Sequence, residues 1–384
     1  MTSIQWNEET LYDSGDKFFG DLLAAISKAQ SSIEFETYIF NDDSLGRKIA
    51  EAFKGAAARG VHVRVLVDGI GAPNWVSRFM PDLSLAGVEN RVYHPVPWIS
   101  RIGMHERFAR AGLLLRLFGR LNRRNHRKTC VTDGGVNEGG AWVGSMNVAN
   151  NHLESRMGDH AWRDAAVRVR GTEVAALREA FERAWASAWY PGKKFKLRIY
   201  HEPPGLRLLR LNHTRLTRLA SYRELLFRIR SARDRVWITN AYFVPRTAFV
   251  SALARAARNG ADVRLLVPGK SDVPFMAWVT STFYRQLLGT GVRIYEYLPS
   301  MLHAKTLIVD DWAEVGSSNL NHRSLLHDLE VDVVLSFRDT RERLGEHFRR
   351  DLTRSREVTL ERIRSRPLWL QVLASIILKL RYWL

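Results

Sequence analysis

Two hydrophobic rhythms alternate along this chain, and the whole alternation occurs twice. In SSIEFETYIF (31–40) and in DRVWITNAYF (234–243), apolar and aromatic residues crowd into a short run, the pattern of a buried strand leading into a polar turn. Next come IAEAFKGAAARGVHVRVLVDG (49–69) and VSALARAARNGADVRLLVPG (250–269). Each predicts an amphipathic helix, a glycine stop and a Val/Leu-rich strand. GVENRVYHP (87–95) and GVRIYEYLP (291–299) then add a glycine followed by a short strand. This alternation predicts an α/β fold with helices on the faces of each sheet. The repeat is too long for a solenoid. It predicts two copies of one domain about a pseudo-twofold axis, joined near 190–215, where YPGKKFK and HEPPG break the pattern.

Composition narrows the partners. The chain has 384 residues, enough for two ordinary domains, and 46% are hydrophobic, so a packed core is expected. A formal charge of +18 favours anionic partners: nucleic acid, acidic headgroups or other phosphates. The single cysteine, Cys130, excludes an intramolecular disulfide and a cysteine-based zinc site, and reads as strand filler. The polar, acidic N-terminus does not resemble a secretory signal, and no long uninterrupted apolar run predicts a spanning helix.

Each half ends in the same polar frame. HRKTCVTD (126–133) and HAKTLIVD (303–310) are followed by GSMN (144–147) and GSSN (316–319). On a strand, His126 and Lys128 share a face, as do His303 and Lys305. Asp133 and Asp310 complete the motif at opposite parity and are expected to shape a turn. Brought together across a twofold axis, two histidines and two lysines suit a phosphodiester. One imidazole attacks phosphorus, and the other serves the leaving and entering oxygens. The lysines, with Ser145, Asn147, Ser317 and Asn319, are candidate donors to phosphate oxygens. A nucleophilic imidazole also needs a carboxylate on its other nitrogen. Asp164 in WRDAAVRVRG and Glu330 in LEVDVVLSF are the candidates, with Asp159 competing for the first position.

With its duplicated HxKxxxxD frame, each copy followed by a Gly-Ser-x-Asn turn, the chain resembles the phospholipase D superfamily over about residues 10–350. ETYIF, RRNHRK, ITNAYFVP, DVRLLVPGKSD and MLHAKTLIVD make it most similar to bacterial cardiolipin synthases of the B type. The resemblance implies tandem lobes, each a mixed β-sheet flanked by helices, with one site between them. These would be a first lobe at 1–200, a second at 201–360 and an amphipathic C-terminal helix at 361–384. It also implies transfer through a phosphohistidine, without metal or other cofactor. The family's nucleophile is commonly the first-half histidine, here His126, leaving His303 as acid/base, although the roles can be exchanged. Two departures stand out: the insert GGVNEGGAW precedes GSMN, and NLNHRS occupies the place of an Asp-Pro pair.

The superfamily includes nucleases as well as lipid enzymes, so the position of charge matters. In 107–125, Leu113, Leu114, Leu117, Phe118 and Leu121 form an apolar stripe, while Arg116, Arg120, Arg123, Arg124 and Arg127 form a basic one. This predicts a membrane-surface helix running into His126. The C-terminal RPLWLQVLASIILKLRYWL predicts a second interfacial helix. No aromatic–basic interleaving of the kind that grips single-stranded nucleic acid flanks either motif.

The favoured expectation is a peripheral phosphatidyltransferase on the cytoplasmic face of a bacterial inner membrane. Phosphatidylglycerol would be donor and acceptor, cardiolipin and glycerol the products, and no oligomer would be needed to complete the site. The alternatives are hydrolysis to phosphatidic acid, a metal-independent nucleic-acid phosphodiesterase, and a lipid-binding module without catalysis. Two intact His–Lys pairs argue against the last.

Overall fold

The computed structural model describes residues 5–95, 123–135, 139–189, 208–273 and 275–364. The first lobe is a seven-stranded mixed sheet. Its strands are β1 (Glu8–Tyr12), β2 (Ser32–Thr37), β3 (His62–Asp68), β4 (Glu89–Tyr93), β5 (Thr129–Thr132), β6 (Gly140–Gly144) and β7 (Ala166–Arg170). They run β1-β7-β6-β5-β2-β3-β4. The second lobe contains β8 (Leu209–Leu211), β9 (Arg235–Thr239), β10 (Asp262–Pro268), β11 (Arg293–Tyr297), β12 (Thr306–Val309), β13 (Trp312–Gly316), β14 (Val331–Val334) and β15 (Ser355–Glu357). Read from β8 the order is the same, with β15 added beyond β11. In both lobes the strand after the His–Lys pair lies antiparallel beside the first parallel strand, with matching register: Phe35 faces Cys130, and Ile238 faces Leu307.

Local chemistry accounts for the crossovers. Asp43 caps helix Ser44–Ala58 by accepting the Leu45 and Gly46 amides at 3.1 and 3.0 Å. Leu45, Ile49, Phe53 and Ala56 recur at helical spacing and are buried. Gly60, at φ +87°, ends the turn, and Gly260, at +95°, does the same after helix Thr247–Arg258.

The inner faces of the sheets share one core. Val131, Val143 and Val167 cluster with Ile308, Val315 and Val333, together with residues of helices Val174–Ser187 and Arg338–Thr353. The chain start is tied across the lobes, since Trp6 Nε1 donates to the Val334 carbonyl at 3.0 Å. Asp133 and Asp310, though members of the catalytic motif, shape turns, in line with their opposite parity. Both adopt left-handed backbone, at φ 48° and 49°, a region Asp tolerates. Asp133 accepts the amides of Gln30, Ser31 and Ser32, and Asp310 those of Arg233, Asp234 and Arg235. Each aspartate anchors the entrance to its neighbouring parallel strand and takes no part in the His–Lys cluster.

Candidate active site

The histidines and lysines lie in extended segments just ahead of β5 and β12, not on the strands themselves. Each segment pairs with the other lobe. His126 N–H donates to the Leu329 carbonyl at 3.0 Å, and Leu329 N–H to that of Arg124 at 2.8 Å. His303 N–H donates to the Arg163 carbonyl and Arg163 N–H to that of Met301, both at 2.8 Å. The next residues are Glu330 and Asp164, so each carboxylate is delivered to the histidine of the opposite lobe. His126 Nδ1 lies 3.0 Å from Glu330 Oε2, and His303 Nδ1 lies 2.8 Å from Asp164 Oδ1. The competitor Asp159 is exposed in the turn Gly158–His160.

A carboxylate at Nδ1 fixes the proton there and leaves Nε2 as a lone pair. Burial, reinforced by Lys128 and Lys305, pushes His126 well below its usual pKa; burial and Lys305 do the same to His303 despite Asp164. Both imidazoles are therefore neutral at rest. The two carboxylates differ. Burial pushes Asp164 up, but His152 and His303 more than reverse it, holding it well below the usual range. Burial raises Glu330 in spite of Lys128 and the hydroxyls of Ser317 and Ser324. Burial also brings Lys128 down to about 8 and Lys305 to about 7. Each lysine donates to the carbonyl of its own motif histidine. Lys128 and Lys305 repel each other, a strain that a phosphodiester bound between them would relieve.

The expected phosphate donors divide. Ser145 donates to Asp164 at 2.7 Å and Ser317 to Glu330 at 2.5 Å, while their oxygens accept the Ala165 and Val331 amides. Both serines hold carboxylates, which corrects their assignment to phosphate. Asn147 Oδ1 accepts the Ile39 amide, leaving its NH₂ group for other use, and Asn319 Oδ1 has no partner among the described residues. The reading also missed the second support of each carboxylate. His152 Nδ1 donates to Asp164 at 2.6 Å, and Ser324 donates to Glu330 at 2.7 Å. Each lies five residues after its GSxN asparagine, a repeated offset that could have revealed them. Asn147 N–H donates to His152 Nε2, so the His152 proton sits on Nδ1. His152, Asp164 and His303 are near enough to ligate a cation. Their facing nitrogens, however, are occupied as N–H donors, and a protonated nitrogen is no ligand.

Aromatic rings wall the site. Tyr38 lies 5.0 Å from His126, Trp162 5.2 Å from His303, and Tyr242 6.5 Å from His303, centroid to centroid. Asn321, in the departing NLNHRS, caps helix His322–Leu326 by accepting the Ser324 amide at 2.9 Å.

The basic stripe ahead of His126 is corrected in part. Arg124 and Arg127 are buried, bound to Asp68 at 3.2 Å and Glu36 at 3.1 Å, so neither reaches a headgroup. Positions 107–122 and the C-terminal segment 366–384 lie outside the described residues.

The family described as "Cardiolipin synthase, PLD-like domain" matches residues 22–185 and 225–352. The cardiolipin synthase of Halalkalibacterium halodurans is 32% identical over 97% of this chain and 71% of its own length. Cardiolipin synthase B of Salmonella typhi is 34% identical over 86% of this chain and 76% of its own. Among solved structures, the phosphatidylserine synthase of Haemophilus influenzae superposes with a TM-score of 0.70 at 14% identity, covering 99% of this chain and 96% of that one. The latter likeness is one of fold.

Proposed function

Because the chain belongs to the phospholipase D-like cardiolipin synthase family, we propose that it is a phosphatidyltransferase converting phosphatidylglycerol to cardiolipin and glycerol. The observation that carries this reading is the crossed pair of histidine–carboxylate contacts around a shared lysine pair. The donor phosphate sits over Lys128 and Lys305, with the Asn147 and Asn319 side chains beside it. His126 Nε2 attacks phosphorus, the P–O bond to glycerol breaks, and the departing oxygen takes a proton from His303 Nε2. A hydroxyl of a second phosphatidylglycerol then attacks the phosphohistidine. Its proton goes to His303 and the N–P bond breaks.

Two asymmetries support His126 as the nucleophile. Its side chain is 12% exposed against 4% for His303. The ionised Asp164 stabilises an imidazolium at His303 better than the less acidic Glu330 does at His126. Binding the anionic diester offsets the positive charge of the lysines and lets His303 take up the proton it must donate.

We place the enzyme peripherally on the cytoplasmic face of the bacterial inner membrane, a reading supported by the +18 charge. Among the described residues no helix is long and apolar enough to cross a membrane. The test uses phosphatidylglycerol vesicles in EDTA, with lipid products and acid-labile peptide adducts read by mass spectrometry. Cardiolipin, glycerol and an adduct on the peptide bearing His126 are expected. Phosphatidic acid alone would make the protein a hydrolase, an adduct on His303 would exchange the roles, and a strict divalent-cation requirement would refute the chemistry.

A further inference from the structure

The duplication allows each lobe to serve as a reference for the other. Asp133 and Asp310 grip equivalent strand entrances, Gln30–Ser32 and Arg233–Arg235. Counting back from these points sets Phe18 opposite Ser221, Phe19 opposite Tyr222 and Leu22 opposite Leu225. Strand register sets Trp142 opposite Glu314 and Ala166 opposite Asp332, and the GSxN turns set Met146 opposite Ser318.

In the first lobe the space behind Lys128 is packed with Phe18, Phe19, Leu22, Trp142 and Met146, leaving about 10 Å³. Behind Lys305 the equivalent space is a cavity of about 80 Å³. The five replacements Ser221, Tyr222, Glu314, Ser318 and Asp332 line it and are all polar. Asn319, beside the catalytic cluster, lines it too. A void of this size holds roughly five water molecules or one three-carbon polyol.

The lining is not internally satisfied. Asn319 Oδ1, the Tyr222 hydroxyl and one terminal nitrogen of Arg218 are buried without a partner among the described residues. Asn319 is 5% and Tyr222 9% exposed. The set mixes acceptors with donors, and buried carboxyls oppose the arginines: Glu314 contacts Arg210 at 3.1 Å. A bare anion satisfies only the donors and an ammonium only the acceptors. Neighbouring hydroxyl groups satisfy both.

We propose that this cavity is the alcohol subsite, holding the free hydroxyls of a glycerol unit through Asn319, Tyr222, Arg218 and Glu314 while the reacting hydroxyl faces phosphorus. The inference rests on His303 being the proton carrier, because Lys305, two residues from His303, lines the cavity. The hydroxyl oxygen bonds to phosphorus, its proton passes to His303 Nε2, and the bond from phosphorus to His126 breaks. The second lobe is hollow behind Lys305, and the first is packed behind Lys128.

The test uses bis(4-nitrophenyl) phosphate as a donor without glycerol, and glycerol as acceptor. Nitrophenol release reports adduct formation, and the rate at which the His126 adduct decays as alcohol is raised reports the alcohol subsite. In wild type that rate should saturate with glycerol and show no saturation with 1-propanol. Ser221→Phe, which restores the first-lobe residue, should raise half-saturating glycerol at least tenfold, far more than it changes nitrophenol release. Tyr222→Phe, which removes one oxygen, should raise it about threefold and guards against misfolding of the larger variant. An adduct decay rate rising linearly with glycerol in wild type, or equal for glycerol and propanol, would mean that the cavity holds only water and would overturn the inference. Unchanged half-saturation in both folded variants would overturn it as well. Absence of nitrophenol release from wild type would instead refute the two-histidine chemistry, and this inference with it.

Discussion

Replacing Glu330 by Gln should disable a histidine from the opposite lobe. The Glu330 carboxylate receives His126 Nδ1 at 3.0 Å, Ser317 Oγ at 2.5 Å and Ser324 Oγ at 2.7 Å. It therefore faces three donors and offers only acceptors. A glutamine has one oxygen and one NH₂ group. If the NH₂ takes the Oε2 position, it confronts Ser317 and His126, and the imidazole answers by moving its proton to Nε2, the atom that must attack. If the NH₂ takes the Oε1 position, Ser324 must accept from it, and the Ser324 hydroxyl proton loses the carboxylate it donates to at 2.7 Å. In both cases the negative charge that supports an imidazolium is gone. A wrong tautomer and a lost charge at a catalytic imidazole together cost about 10³–10⁴ in rate, or roughly 4–5.5 kcal/mol of barrier. Rapid quench on phosphatidylglycerol vesicles separates the steps. Glu330→Gln should slow appearance of the His126 adduct by that factor, while Asp164→Asn should impair proton delivery and decay of the adduct through His303. Folding is checked by near-UV circular dichroism. Adduct formation within tenfold of wild type in folded Glu330→Gln would refute the crossed arrangement, as would a specific loss of adduct formation in Asp164→Asn alone.

The buried lysines predict proton uptake on binding. Their folded pKa values of about 8 and about 7 lie below the ordinary 10.5, so the unfolded chain holds more protons between pH 7 and 10.5, and these groups make stability rise with pH across that window. A bound diester returns both toward the charged form, so calorimetry at pH 8.5 in two buffers of different ionisation enthalpy should show uptake of about one to two protons per phosphodiester bound. Equal heats in the two buffers would contradict this. Asp310→Ala removes the acceptor of three backbone amides from a left-handed residue, and should lower unfolding free energy by about 2–4 kcal/mol. Urea titration reads the loss, and turnover of the fraction still folded should remain within threefold. Arg124→Ala leaves Asp68 buried without its cation, so stability should fall by about 3–5 kcal/mol. Cosedimentation of the folded variant with anionic vesicles should match wild type, and a large loss of binding with intact stability would restore Arg124 to the membrane surface.

Much of this molecule is readable from pattern, and the errors have physical causes. The duplication is legible because period-2 strands, 3.6-period helices and glycine stops recur in one order. His126, Lys128, His303 and Lys305 are legible because a polar frame repeats between apolar neighbours. Ser145 and Ser317 were misassigned because a hydroxyl beside a phosphate site and a hydroxyl beside a carboxylate look identical in sequence. Arg124 and Arg127 were misread because an arginine's partner decides whether it is buried. The partners, Asp68 and Glu36, stand in the apolar strand regions LVD and FET, where an isolated acid is itself a signal of a buried cation.

By itself, then, the sequence determined two like lobes and a repeated frame of imidazole and ammonium groups, because local periodicity and residue type need only short stretches of chain. Tertiary structure decided which carboxylate serves which histidine. The partners stand 204 and 139 residues apart, and backbone bridges between the lobes set the exchange. It likewise decided that one half-site is packed and the other hollow, because a cavity depends on the volumes of side chains that meet only when helix and sheet close on each other.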